Sequence, residues 1–399
     1  MYQQTSYRSG RNSQYRSKSY SSRPQNRGPK KAYIHPSKFI QSAKPQSEEV
    51  YVPTNKFSDF ELDALIKRNL SAMNFDSPSP IQDQAIAPAL EGRDIVGIAN
   101  TGTGKTAAFA IPVLNNLINN PRSKAIILAP TRELAQQIEQ QFRLIGKGCG
   151  LDGALLIGGT PMGPQLRDLR FRPRIIVGTP GRIKDHLERG SLNISDCNLV
   201  VLDEVDRMLD MGFIHDIKHI LSQTSSEKQS FYFSATLDAG VRSIMETFSK
   251  DPVQISVKSG ETGENIDQNI VSVSYNDNKI DKLHDILIQN GTTKALVFDD
   301  THRSVEKLSK ELAARGFSAD SIHGGKSQAQ RQRVLEKFKG NDIKVLVATD
   351  VAARGLDVAD ITHVINYSLP QSYDDYVHRI GRTGRAGKVG YALTFVEQR

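Results

Sequence analysis

The stretch NLVVLDEVDRML, residues 198–209, runs an almost unbroken apolar segment into Asp203, Glu204 and Asp206. Carboxylates at the mouth of a buried strand suit metal binding or activation of a water, since a hard divalent cation takes oxygen ligands and a basic carboxylate can polarise a nucleophile. The stretch ANTGTGKTAAFAIPVL, beginning at Ala99, offers a complementary chemistry. Gly102 and Gly104, with Thr103 between them, let the backbone turn tightly so that successive N–H groups face phosphate oxygens. Lys105 adds a point charge, Thr106 a hydroxyl for Mg²⁺, and the following helix a positive N-terminal end. Ala99 stands where the common phosphate-binding loop has its first glycine, so the match is to the shorter GxGKT core. The plainer reading, a glycine-rich turn with a chance lysine, does not explain strand, GTGKT and helix in that order. A nucleoside triphosphate site does. Asp203 then lies at a strand end able to hold Mg²⁺, and Glu204 can orient the attacking water. Hydrolysis alone leaves Asp206 unexplained.

Such a site needs an α/β scaffold. Short apolar runs at 94–99, 125–130, 154–159, 174–179, 198–203, 230–235 and 253–257 alternate with amphipathic stretches. Each is strand-length and apolar enough to be covered on both faces, which predicts a parallel sheet flanked by helices. KSGETGEN, residues 258–265, reads as a linker, after which the pattern restarts at 295–300, 344–350, 363–368 and 391–396. The expected organisation is a tail over 1–50, one α/β domain over 51–257, a linker over 258–265, and a second α/β domain over 266–399. A chain of 399 residues can hold two such cores.

Charge separates the tail from the rest. Residues 1–50 hold ten Lys/Arg against Glu48 and Glu49, so the whole formal charge of +8 resides there. Rich in Ser, Gln, Arg and Tyr, this tail lacks the aliphatic surface needed to offset ordering entropy and is expected to be disordered. Its arginines, interleaved with Tyr2, Tyr7, Tyr15 and Tyr20, could bind single-stranded nucleic acid by charge and stacking or could merely keep the chain soluble. No apolar run approaches a membrane span and no apolar signal core begins the chain, which points to a cytoplasmic protein with no membrane partner. Cys149 and Cys197 offer neither a disulfide framework nor metal spacing.

LDEVD with GTGKT, PTRELAQQ (130–137), GG (158–159), TPGR (179–182), SAT (234–236), ATDVAARGLD (348–357) and HRIGRTGR (378–385) together resemble the DEAD-box family of ATP-dependent RNA helicases. The resemblance covers about residues 57 to 396, in family order. It implies two tandem RecA-like domains, ATP and Mg²⁺ as cofactors, and RNA as the partner, as single strands and short duplexes without sequence specificity. Nothing indicates an obligate oligomer, so a monomer is expected. Val205 replaces the alanine of the name-giving tetrad and is expected to tune the fit between domains. FDSPSPIQ (75–82) and a sixth motif beginning with His378 separate the chain from the DEAH relatives. Asn74 stands where the adenine-reading motif usually starts with glycine.

Roles follow from the resemblance position by position. Gln82 would read the adenine edge and Phe57 would stack on its ring. Lys105 and Thr106 would hold the terminal phosphates and metal, Asp203 would join the metal shell, and Glu204 would act on water. Asp206 would couple the ATP site to the domain contact through Ser234, Thr236 and His378. Arg382 and Arg385 would be arginine fingers from the second domain, with Gly355 and Asp357 as ribose contacts. Arg132, Gly159, Thr179, Arg182, Gln328, Arg331 and Thr349 would hold the sugar–phosphate backbone of one RNA strand. Closure around ATP would bend that strand and separate base pairs locally. The alternative is an RNA-binding or annealing scaffold with weak or no ATPase.

Overall fold

A computed structural model describes residues 34–43, 51–100, 102–257, 265–275, 277–289, 291–353, 358, 360–384 and 388–398. In the first half, strands β1 (Ile95–Ile98), β2 (Ala125–Leu128), β3 (Gly153–Leu156), β4 (Ile175–Gly178), β5 (Leu199–Leu202), β6 (Gln229–Ser234) and β7 (Val253–Ser256) form one parallel sheet in the order β3-β4-β2-β5-β6-β1-β7. Successive side chains of a strand point to opposite faces, and β5 shows the result. Leu199 and Val201 join a core on one side, Val200 and Leu202 a core on the other. Helices cover both faces, which is why these short runs contain no polar alternation.

The second half repeats the design with β8 (Ile266–Val273), β9 (Ala295–Phe298), β10 (Ala319–Ile322), β11 (Val345–Ala348), β12 (His363–Asn366) and β13 (Gly390–Glu397), parallel in the order β10-β11-β9-β12-β13-β8. The two edge strands, β8 and β10, are absent from the runs picked out by apolar character. Their sequences, IDQNIVSV and ADSI, are polar because an edge is only partly covered. Among the described residues no helix is long and apolar enough to cross a membrane.

The tail boundary at residue 50 is corrected by residues 34–43. Pro36–Phe39 forms a 3₁₀ turn, and Phe39, 1% exposed, packs with Ile266, Tyr376, Ile380 and Ala392. Gln41 then pairs antiparallel with Gln268 on edge strand β8 through bonds of 3.0 and 2.7 Å. Phe39 and Ile34 supply the apolar anchor that the Ser/Arg/Tyr segment before them lacks. Residues 1–33 and 44–50 of the expected tail, and 258–264 of the expected linker, lie outside the described residues.

Candidate functional site

The carboxyl ends of β5, β6 and β1, neighbours in the first sheet, gather the nucleotide chemistry at one edge. β1 leads into the glycine loop and the helix Lys105–Asn119. Gly102 and Gly104 have φ of 85° and 91°, the left-handed region that favours glycine. At Gly104 a Cβ would also collide with the Gln82 amide. Lys105 is 6% exposed, and its Nζ donates to the Ala99 carbonyl at 2.9 Å, folding the charge back over the loop. Thr103 Oγ1 donates to Asn100 O at 2.9 Å. Ser79 Oγ donates to Thr103 O at 2.7 Å and Gln82 Nε2 to Gly104 O at 3.0 Å, while Gln82 Oε1 accepts from Ser79 N at 2.9 Å. Gln82 thus buttresses the loop and keeps one N–H and one lone pair, the complement of an adenine edge. Asn74, in place of glycine, has φ of 57°; asparagine is among the side chains that tolerate this region best.

Phe57 departs from its expected place. It is 6% exposed and packs edge-on against Phe60 and Phe75, at centroid distances of 6.3 and 5.7 Å. The ring lining the cavity is Phe75, and Phe57 packs behind it.

Asp203 and Glu204 follow β5, and the helix Val205–Asp210 begins at once. Asp203 is 2% exposed, and burial raises its pKa to about 6 against the opposing Lys105 charge. Its Oδ1 accepts the Glu204 N–H at 2.9 Å. Glu204 has φ of 51°, a strained backbone for a non-glycine residue. Glu204 Oε2 is buried without a hydrogen-bond partner, 3.5 Å from Arg207 Nε. Glu204 also lines the cavity described below, where a carboxylate with an unused acceptor suits a substrate water. Asp206 Oδ2 accepts from Ala235 N and Thr236 N at 3.0 Å and from Thr236 Oγ1 at 3.3 Å, and Asp206 N donates to Ser234 Oγ at 3.3 Å. His378 faces this group from the second half; burial, then the Arg207 charge, lower its pKa to about 4. Val205 does not lie between domains. It is fully buried in the first domain's core with Leu202 and Met208, so its extra methyls are absorbed there.

Both halves line one cavity of about 560 Å³. Lys105, Thr106, Asp203 and Glu204 face it from the first, Arg382 and Thr362 from the second. Arg382 is 3% exposed. Its neighbour Arg379 has a different task. It grips Asp350 through two bonds of 2.6 and 2.7 Å and reaches Asn366 and Ser368, fixing the helix Tyr373–Ile380 to the second sheet. Gly355, Asp357 and Arg385 lie outside the described residues.

The expected RNA residues divide into two groups. Gly159, Thr179 and Arg132 follow β3, β4 and β2, three adjacent strands on the far side of β5, and Arg182 sits in the first turn of the helix Pro180–Glu188. The Arg132 guanidinium lies directly over Gly158 and Gly159, whose missing side chains make the room. Gln328 and Arg331 instead reach across to the first domain. Arg331 Nη2 is 2.8 Å from Glu133 Oε2, and Gln328 Nε2 donates to Glu133 Oε1 and Gln136 Oε1, both at 3.2 Å. In this arrangement both side chains are committed to the domain junction. Thr349 is 7% exposed, its hydroxyl without a hydrogen-bond partner among the described residues. Sequence reasoning passed over Glu133, Arg207 and Phe75. Glu133 and Arg207 stand beside the assigned Arg132 and Asp206, Phe75 opens the FDSPSPIQ motif, and only the fold shows which of these turns inward.

Residues 79–244 match the DEAD/DEAH box helicase family model and residues 278–387 the helicase conserved C-terminal domain. The chain is 45% identical over 348 residues to the DEAD-box ATP-dependent RNA helicase CshA of Bacillus subtilis (strain 168), spanning 87% of this chain and 70% of that one. It is 45% identical over 345 residues to CshA of Geobacillus kaustophilus (strain HTA426), spanning 86% and 74%. Its structure superposes on S. cerevisiae Dbp5 bound to RNA and ADP BeF3 with a TM-score of 0.76 at 29% identity, covering 86% of this chain and 90% of that one. A DEAD box protein from Methanococcus jannaschii, 40% identical, gives 0.51 over 86% and 93%. With its glycine loop, paired carboxylates and cavity shared between two parallel sheets, the chain belongs to the DEAD-box helicase family.

Proposed function

We propose that this protein is an ATP-dependent RNA helicase in which hydrolysis is possible only when the two domains share the nucleotide. The observation that carries this reading is the common cavity, with Lys105 and Glu204 on one wall and Arg382 on the other. Gln82 reads the adenine with its remaining donor and acceptor, and Phe75 offers the stacking face. Lys105 leaves the Ala99 carbonyl to hold the terminal phosphates. Thr106 and Asp203 fit Mg²⁺, because a fully buried carboxylate with a raised pKa is favoured by a nearby divalent cation. No cluster of three or more acidic, His or Cys groups is found among the described residues, which suits an ion that keeps water and phosphate ligands. That ion supplies charge neutralisation on the phosphates.

Glu204 Oε2 accepts a hydrogen bond from the attacking water and directs its lone pair at the γ-phosphorus. Arg382, with Arg385, neutralises the transferring phosphoryl group, and a guanidinium fork matches its oxygens. Asp206 ties the strand-end residues Ser234–Thr236 to the helix bearing Glu204, facing His378 of the second domain, so the ATP state is read at the junction. Arg132, Gly159, Thr179, Arg182 and Thr349 hold one RNA strand by its backbone, which positions it without specifying sequence. Closure bends that strand and parts base pairs locally, and hydrolysis releases it. Steady-state ATP hydrolysis with and without single-stranded RNA, with Glu204→Gln as the control, tests the reading. RNA stimulation confined to the native chain supports it; no turnover above the control puts a nonenzymatic RNA-annealing scaffold first.

A further inference from the structure

The Gly158–Gly159–Thr160 loop follows β3, an edge strand with a neighbour on one side only. Such a loop has little to hold its shape, yet here it is gripped from beneath by a buried polar chain. Gln165 Nε2 donates to Ile157 O at 3.0 Å and to Thr160 Oγ1 at 2.7 Å, and Thr160 Oγ1 donates to Ile157 O at 2.9 Å. Both Gln165 N–H groups therefore point at the loop, which turns Oε1 toward His186 Nε2 at 3.1 Å. An acceptor on that side requires the proton on Nε2. His186 Nδ1 lies 2.9 Å from Ser191 Oγ, whose hydroxyl also reaches the His186 carbonyl at 3.0 Å. Gln165 and His186 are 4% and 0% exposed, and burial, then the Arg182 charge, lower the His186 pKa.

His186 belongs to the helix Pro180–Glu188, capped by Thr179 and carrying Arg182, which itself donates to Thr160 O at 3.3 and 3.4 Å. The chain His186–Gln165–Thr160 thus joins two separate backbone-holding elements, the glycine loop and the Thr179–Arg182 turn. Neither Gln165 nor His186 is placed to touch RNA. We infer that Gln165 and His186 are positioning residues that lock the Gly158–Thr160 loop and the Thr179–Arg182 turn into one rigid RNA cradle. The inference rests on the RNA-cradle reading of those two elements. Removing the Gln165 amide leaves Ile157 O with the Thr160 hydroxyl alone, strips Thr160 Oγ1 and His186 Nε2 of their shared partner and loosens the loop, while the ATP cavity, built on other strand ends, is untouched.

The test is the RNA concentration giving half-maximal ATPase stimulation, with the ATP KM and the turnover at saturating RNA measured alongside. Gln165→Met keeps the volume and deletes all three side-chain hydrogen bonds; it should raise the RNA requirement about fivefold or more, since a net loss of about 1 kcal/mol already gives that factor. ATP KM and saturated turnover should change less than twofold, a split that a general loss of packing does not produce. His186→Leu should act in the same direction, and the Gln165→Met/His186→Leu pair should be no worse than Gln165→Met alone, because His186 works through Gln165. Thr160→Val, at a half-buried site that tolerates the change, gives the same reading if the core variants fold poorly. An unchanged RNA requirement in Gln165→Met and Thr160→Val, or additive effects in the double variant, overturns the inference. Arg132→Ala separates the two levels. If it weakens RNA response and Gln165→Met does not, the positioning role alone fails; if neither weakens it, the cradle reading fails with it.

Discussion

Arg331 of the second domain and Glu133 of the first form a buried ion pair, 2.8 Å from Nη2 to Oε2, with the residues 7% and 3% exposed. Opening the domains exposes both charges to water, whereas closing must desolvate them together. The pair therefore favours closure only while both members are present. Removing one member of a buried pair costs about 3–5 kcal/mol, and here the free charge can escape that cost by holding the domains apart. Glu133→Ala should lower RNA-stimulated turnover about tenfold or more with ATP affinity nearly unchanged. Glu133→Ala/Arg331→Ala should be less impaired than the sum of the single changes, a coupling read from a double-mutant cycle.

The aromatic cluster beside the nucleotide cavity divides its work. Phe75→Ala removes the ring that lines the cavity and should raise the ATP KM with little loss of stability, because Phe75 is only half-buried. Phe57→Ala empties a core site and should cost about 3–5 kcal/mol of unfolding free energy. Denaturant unfolding and ATP titration on the two variants check the division; a larger KM effect in Phe57→Ala would restore it as the stacking ring.

His378 gives the closed arrangement a pH dependence. Its pKa falls from 6.5 to about 4, driven by burial, then Arg207, with Arg382 adding to the shift and Asp206 and Glu204 opposing it. Between those values the unfolded chain binds a proton that the folded chain excludes, so stability drops as pH falls from about 6.5 and levels near 4. Asp203, raised to about 6, acts in the opposite sense over the same range. The contribution of His378 is therefore the difference between the native chain and His378→Asn. That difference in melting temperature should shrink as pH is lowered from 7 to 5, as followed by calorimetry.

Phe39 anchors residues 34–43 to the second sheet, with its ring 4.7 Å from that of Tyr376. Phe39→Ala should undock this segment before the sheet itself unfolds, since it removes the segment's one fully buried ring and leaves the partly buried Ile34, one antiparallel bridge and the Lys38–Tyr373 contact among the remaining ties. Hydrogen exchange should accelerate at Gln41 and Gln268 and stay slow at Val297 and Val347, which are fully buried in the sheet.

Much of this molecule was legible in its residues. The apolar four-residue strands had to be covered on both faces, and GTGKT and LDEVD at their ends carry their chemistry in consecutive positions, where backbone geometry alone brings donors and charges together. Asp206 meets Ala235 and Thr236 because β6, which leads into SAT, is the neighbour of β5, which leads into the Asp206 helix. What the sequence could not decide was which side chains meet across the fold. Edge strands β8 and β10 carry little apolar signal because an edge buries little. Phe57 and Phe75 are equivalent as letters, and only packing makes one the support and the other the cavity wall. Gln328 and Arg331 read as phosphate contacts, and nothing along the chain shows that both also meet Glu133, nearly two hundred positions away. Local chemistry is written along the chain; the pairing of distant charges depends on burial and proximity, which exist only after the two sheets have been placed.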